Sequence, residues 1–88
     1  MTLEEVCASC IADVDALSDT LRMNRLQANQ GLNDVRAKWD AIIKHHKGSS
    51  IAGIVSEART RLPKITESKE RWQDGLSSAR YDFTFHLH

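Results

Sequence analysis

The sequence predicts an all-α fold: an antiparallel helical hairpin with a long helix over residues 3–46, a short loop at 47–50 and a second helix over residues 51–80 kinked at Pro63. Three observations predict it. In the second half, Ile51, Val55, Ala58, Leu62, Ile65, Lys69, Trp72, Leu76, Ala79 and Phe83 follow at alternating steps of four and three, and nine of these ten are apolar. Such spacing keeps one stripe of a helix turned toward a partner. In the first half, Cys7, Val14, Leu21, Ala28, Val35 and Ile42 form an unbroken seven-residue series. Between the halves, His46-Lys47-Gly48-Ser49-Ser50 carries the turn chemistry of a helix end followed by a helix start.

The first helix opens on a capping box. Thr2 is followed three residues later by Glu5, so the threonine oxygen can accept from the glutamate amide while the carboxylate reaches back to the threonine amide. Leu3, Cys10 and Leu17 flank the apolar series as its companion stripe; past them the companion positions read Asn24, Gly31 and Lys38, and apolarity moves on to Leu32, Trp39 and Ile43. A 3.6-residue helix departing from a strict heptad produces this drift. Gly31 offers a second arrangement, a three-helix bundle with a break near that glycine. Read as an interior residue, it costs the long helix about 1 kcal/mol.

Gly48 suits the left-handed position that closes a helix, and Ser49 or Ser50 can cap the next one. So short a connection implies antiparallel neighbours. Pro63 removes a backbone donor and predicts the kink, with Gly31 opposite it across the hairpin. In the last eight residues Tyr81, Phe83, Phe85 and Leu87 alternate with Asp82, Thr84, His86 and His88. A period of two predicts a short extended tail, its aromatic side laid on the helices or on a second subunit.

At 88 residues, 41% hydrophobic and 27% charged, the chain reads as one small helical domain, residues 1–88. A domain this small buries only about 60% of its unfolded surface. Self-association through the seams, as a homodimer forming a four-helix bundle, is the expected remedy. The twelve basic and twelve acidic residues cancel, which argues against general nucleic-acid binding. There is no apolar run of membrane-spanning length, and the first residues are acidic where a signal peptide is basic. The expected location is cytoplasmic, with no membrane association.

Four groups of side chains are candidates for function. Cys7 and Cys10 lie three apart on one helical face, and folding about Ser49 brings them level with His86 and His88, a donor set of the Cys2His2 kind that zinc takes. Set against that, both cysteines stand at seam positions, where cysteine packs as a small hydrophobe; the expectation is no cofactor, with zinc as the alternative. Glu4, Glu5, Asp13, Asp15 and Asp19 make the first twenty residues acidic with no Lys or Arg, while residues 36–64 hold seven cations against Asp40 and Glu57. Lys69 interrupts the second seam as Asn24 interrupts the first, and polar seam residues fix register and partner number. Trp72, Phe83 and Phe85 complete the interaction set. Lys44, His45, His46 and Lys47 form a cationic tip.

No nucleophile, acid–base, phosphate-loop or cation-loop motif is present, so catalysis is not expected. The sequence therefore reads as a non-enzymatic helical protein-protein interaction module. Its alternatives are a small phage- or plasmid-type inhibitor that blocks a larger enzyme through its acidic face, and a zinc-stapled structural domain.

Overall fold

The computed structural model describes residues 1–87. They form four α-helices, α1 (Leu3–Met23), α2 (Arg25–His45), α3 (Ser50–Thr60) and α4 (Lys69–His86), and no strand. The all-α class is as the sequence predicts. The two long helices are not: each is divided, and the chain folds back on itself three times.

The first division falls at Asn24, where one residue with extended backbone (φ −156°, ψ 109°) ends α1 and caps α2. Its amide donates to the Thr20 carbonyl at 2.7 Å, and its side-chain oxygen accepts from the Gln27 amide at 3.2 Å. Asparagine's short polar side chain competes with the helical ladder, which makes it a poor interior residue and a good cap. Gly31 is not a break: it lies inside α2, and a Cβ there would meet Leu17 of α1 at 3.0 Å. It allows close approach of α1, and has no part in a bend opposite Pro63.

The second division is a loop over residues 61–68 containing Pro63, a full break where the sequence predicts a kink. Two arginines of α2 hold it. Arg25 Nη2 donates to the Ile65 and Glu67 carbonyls at 2.7 and 2.6 Å, and Arg36 donates to the Pro63 carbonyl. The Arg25 guanidinium also lies 4.5 Å above the centre of the Trp72 ring. Ser68 then caps α4 by accepting from the Arg71 amide.

The end of the chain is helical to His86, not extended. Trp72, Leu76, Ala79 and Phe83 recur at helical spacing and are buried to 1% or less, so continuing α4 places Phe83 in the core. An extended tail would place Tyr81, Phe83 and Phe85 on one side; the helix turns Phe83 inward and leaves the other two outside.

Local expectations at the remaining ends hold. Both hydrogen bonds of the Thr2–Glu5 capping box form, Gly48 takes φ +90°, and Ser49 caps α3. The Glu5 carboxyl is lowered from its ordinary value chiefly by the Thr2 amide it accepts from.

Consecutive helices are antiparallel and α4 returns beside α1, so each helix packs on two neighbours around one core. The longest dimension, 35 Å, matches a helix of 21 residues at about 1.5 Å per residue. Across the centre, Trp39 meets the edge of Phe83 with ring centroids 5.1 Å apart, an arrangement favoured by the ring quadrupoles. The stripes at Cys7, Cys10, Val14, Leu17 and Leu21, at Ala28, Leu32, Val35 and Trp39, at Val55, Ala58 and Leu62, and at Trp72 to Phe83 all converge there. Each seam thus finds its partner within one chain. Among the described residues, no helix is long and apolar enough to cross a membrane.

Candidate functional site

The acidic residues of α1 are dispersed over several partners. Asp13 accepts from Trp39 Nε1 at 3.1 Å and pairs with Lys38 at 2.9 Å. Its carboxylate thereby satisfies an indole that is wholly buried, as buried indole N–H groups usually are; the Trp72 Nε1 has no such partner. Asp15 pairs with Arg80 of α4 at 2.9 Å, and Asp19 pairs with Arg22. Asp15 raises the Arg80 pKa, first through their hydrogen bond. Glu5 closes the capping box, and Glu4 is exposed in the first turn. Asp13, Asp15 and Asp19 each pair with a cation of the same chain, and the Asp15 and Asp19 side chains stay exposed.

Cys7 and Cys10 point into the core at 0% exposure and are free thiols. Burial pushes both thiols up, and Cys10, with Asp13 adding to the effect, is pushed up to about 12. His86 is exposed and lines a surface groove on the α3 side of α4, away from the thiols. His88, the fourth residue of the predicted zinc set, lies outside the described residues. Among the described residues no three His, Cys, Asp or Glu side chains group closely enough to hold a metal.

The raised thiol has a consequence for stability. Between the ordinary value of 9.0 and about 12, the unfolded chain loses the Cys10 proton while the folded chain keeps it, so folding is progressively disfavoured as pH rises through that window. Below pH 9 the contribution is fully present. Urea denaturation across the window should show wild type losing about 1 kcal/mol per pH unit more than Cys10→Ala. Equal slopes would mean that the thiol is not held protonated.

Lys69 is the first residue of α4 and is exposed, so it interrupts no packed seam. Trp72 and Phe83 are core residues at 0% exposure. His45 and His46 stack edge to face at 5.0 Å at the end of α2. Of the predicted interaction set only Phe85 offers a large apolar surface, at 62% exposure.

Phe85 does not stand alone. Tyr81, one turn earlier, is 67% exposed, and the two rings lie 6.5 Å apart. They form one wall of a groove of about 570 Å³ between α3 and α4, with Gly53 and Ile54 opposite and Glu57, Asp82 and His86 at its edge. Gly53 faces open space: a Cβ there would meet nothing within 4 Å. Beyond Tyr81 and Asp82 the groove continues into a shallower hollow of about 420 Å³ reaching Arg61, Ser77 and Ser78. Arg61 loosely holds both carboxylates, Asp82 at 3.3 Å and Glu57 at 3.4 Å.

Sequence reasoning missed Tyr81, Gly53 and Ile54 as site residues. The signal was an i, i+4 aromatic pair on the side of α4 opposite its buried stripe. No family model, curated protein or solved structure matches this chain.

Proposed function

We propose that this protein is a non-enzymatic interaction module whose working surface is the α3–α4 groove with its aromatic wall, and that it binds an amphipathic helical segment of a protein there. The observation that carries this reading is the division of the five aromatic side chains. Trp39, Trp72 and Phe83 are at 0% exposure, whereas Tyr81 and Phe85 are at 67% and 62% and adjacent. Aromatic anchors beside an open apolar groove are the usual energetic centre of a helix-in-groove contact. With the seams closed within the chain, this face takes over the role that the heptad pattern suggested for them.

A random library of helical peptides selected on the wild-type protein tests this. Enriched sequences should carry apolar residues at i, i+3 and i+4, and their binding should shift the amide resonances of Gly53, Ile54 and residues 81–86. Affinity should fall on the order of tenfold or more for Phe85→Ser, a loss typical of an anchor residue. Selection that yields no binder, or binders that shift residues elsewhere, would overturn the proposal.

A further inference from the structure

From the layout of this same face we infer that its occupant is a second copy of the chain, docked antiparallel about a two-fold axis at Tyr81, so that Phe85 of each copy enters the Ser77–Ser78 hollow of the other. The inference rests on the reading of the groove as a helix-binding surface. It adds the identity of the helix, which is α4 itself.

Two features of α4 carry it. The first is shape. Phe85 lies four residues after Tyr81 and Ser77 four before it, so an antiparallel two-fold at Tyr81 sets each Phe85 level with the partner's Ser77. The two hollows adjoin at Tyr81 and Asp82, one carrying the protruding phenyl ring and the other floored by small serines. A large side chain facing small ones is the condition for interdigitation at a symmetric interface.

The second is charge. On the α3 side of the axis, Glu57 belongs to the hollow that holds Phe85, and Arg61 to the hollow that holds Ser77 and Ser78. The antiparallel two-fold therefore brings each Glu57 toward the partner's Arg61. A parallel two-fold, running along α4, would carry the two α3 helices to opposite sides and make no such pairing. Arg61 is free to share: its own contacts to Glu57 and Asp82 are long, at 3.4 and 3.3 Å, and its side chain is 44% exposed. Two aromatics a side make a contact at the small end of specific interfaces, on the order of 1,000 Å² in total. The corresponding dimer is weak, with a Kd on the order of 100 µM.

Sedimentation of the full chain from about 10 µM to about 1 mM should follow a monomer–dimer equilibrium, and Phe85→Ser should raise its Kd on the order of tenfold. The register is tested by charge exchange. Arg61→Glu alone and Glu57→Arg alone should each weaken the dimer several-fold. An equimolar mixture of the two should restore it, because both flanking contacts of the mixed dimer then join opposite charges. Circular dichroism and thermal melting confirm that each variant is folded, and Ser78→Arg, which fills the receiving hollow from an exposed position, gives a second disruption.

Restoration in the mixture supports the antiparallel register. A wild-type dimer that Phe85→Ser and Ser78→Arg leave intact, or a mixture no tighter than its components, would overturn it. A wild-type chain monomeric throughout would also overturn it. If selected peptides still bound the groove in that case, the interaction module would stand with a different occupant; if they did not, both readings would fall.

Discussion

Gly75→Ala is expected to destabilise the protein by about 2 kcal/mol, although alanine is the better helix former by about 1 kcal/mol. Gly75 lies within α4, where that helix passes the end of α3 and the 61–68 loop. A Cβ at this position would stand 2.6 Å from the Arg61 carbonyl oxygen and 3.4 Å from the Pro63 ring. The carbonyl belongs to backbone, so relief requires α3 and α4 to separate or the loop to move. Overpacking of this kind costs about 1–3 kcal/mol or more. In a domain of this size a 2 kcal/mol loss lowers Tm by roughly 10 °C.

Gly53→Ala provides the opposite sign. A Cβ there meets nothing within 4 Å, and the propensity gain of about 0.5–1 kcal/mol is unopposed. Chemical denaturation of the two variants beside wild type checks both. Stabilisation by Gly75→Ala would mean that α4 does not approach the Arg61 carbonyl as described.

Arg25→Ala is expected to cost about 2–4 kcal/mol, a large effect for a surface-proximal arginine. One Nη donates to two carbonyls of the 61–68 loop, Nε donates to Asn29 at 3.1 Å, and the guanidinium face covers the Trp72 ring. Removing it leaves two carbonyls without their charged donor and uncovers a core indole. Arg25→Lys should recover only part of the loss, because an ammonium can donate to the carbonyls but has no second nitrogen for Asn29 and no planar face to stack on the ring. Urea midpoints give the stability, and hydrogen exchange should show amides near residues 64–67 opening before the rest. If Arg25→Ala changed stability by less than about 0.5 kcal/mol, ordinary for an unremarkable surface site, the loop would be held by Arg36 and Pro63 alone.

The break at Asn24 was legible in part. Asn24 followed by Gln27 has the spacing of a capping box, the pattern that Thr2 and Glu5 display at the start of the chain. What concealed it is that Leu21, Ala28 and Val35 pass across it in heptad phase and are all buried. A straight helix and a tight hairpin can bury the same residues; only the partner differs. The phase shift to Leu32, Trp39 and Ile43, read from sequence as drift, marks the new face that α2 needs once it lies against α1.

The candidate site was harder to find because the alternation of Tyr81, Phe83 and Phe85 fits two conformations. As a strand it gives one aromatic face, and as a helix it divides the three between core and surface. The core vacancy beside Trp39 decides the matter, since Phe83 fills it and makes the 5.1 Å ring contact. The acidic residues show the same limit. Their clustering in the first twenty positions is plain, but Lys38, Trp39 and Arg80, which engage Asp13 and Asp15, are 25 to 65 residues away along the chain.

The sequence by itself determined the all-α class, the buried stripes apart from Ile65 and Lys69, which the 61–68 break leaves exposed, the cap at Thr2, a serine cap at 49 or 50 and the turn at Gly48, because these depend on side chains within four residues of one another. Tertiary structure decided where the helices break, that the seams close within one chain, and that Tyr81 and Phe85 face outward beside the α3–α4 groove. The physical reason is that an apolar stripe specifies that it must be covered and leaves its cover unspecified. That choice is made by contacts such as Arg25 with Ile65 and Glu67, 40 and 42 residues apart, which form only when the whole chain has folded.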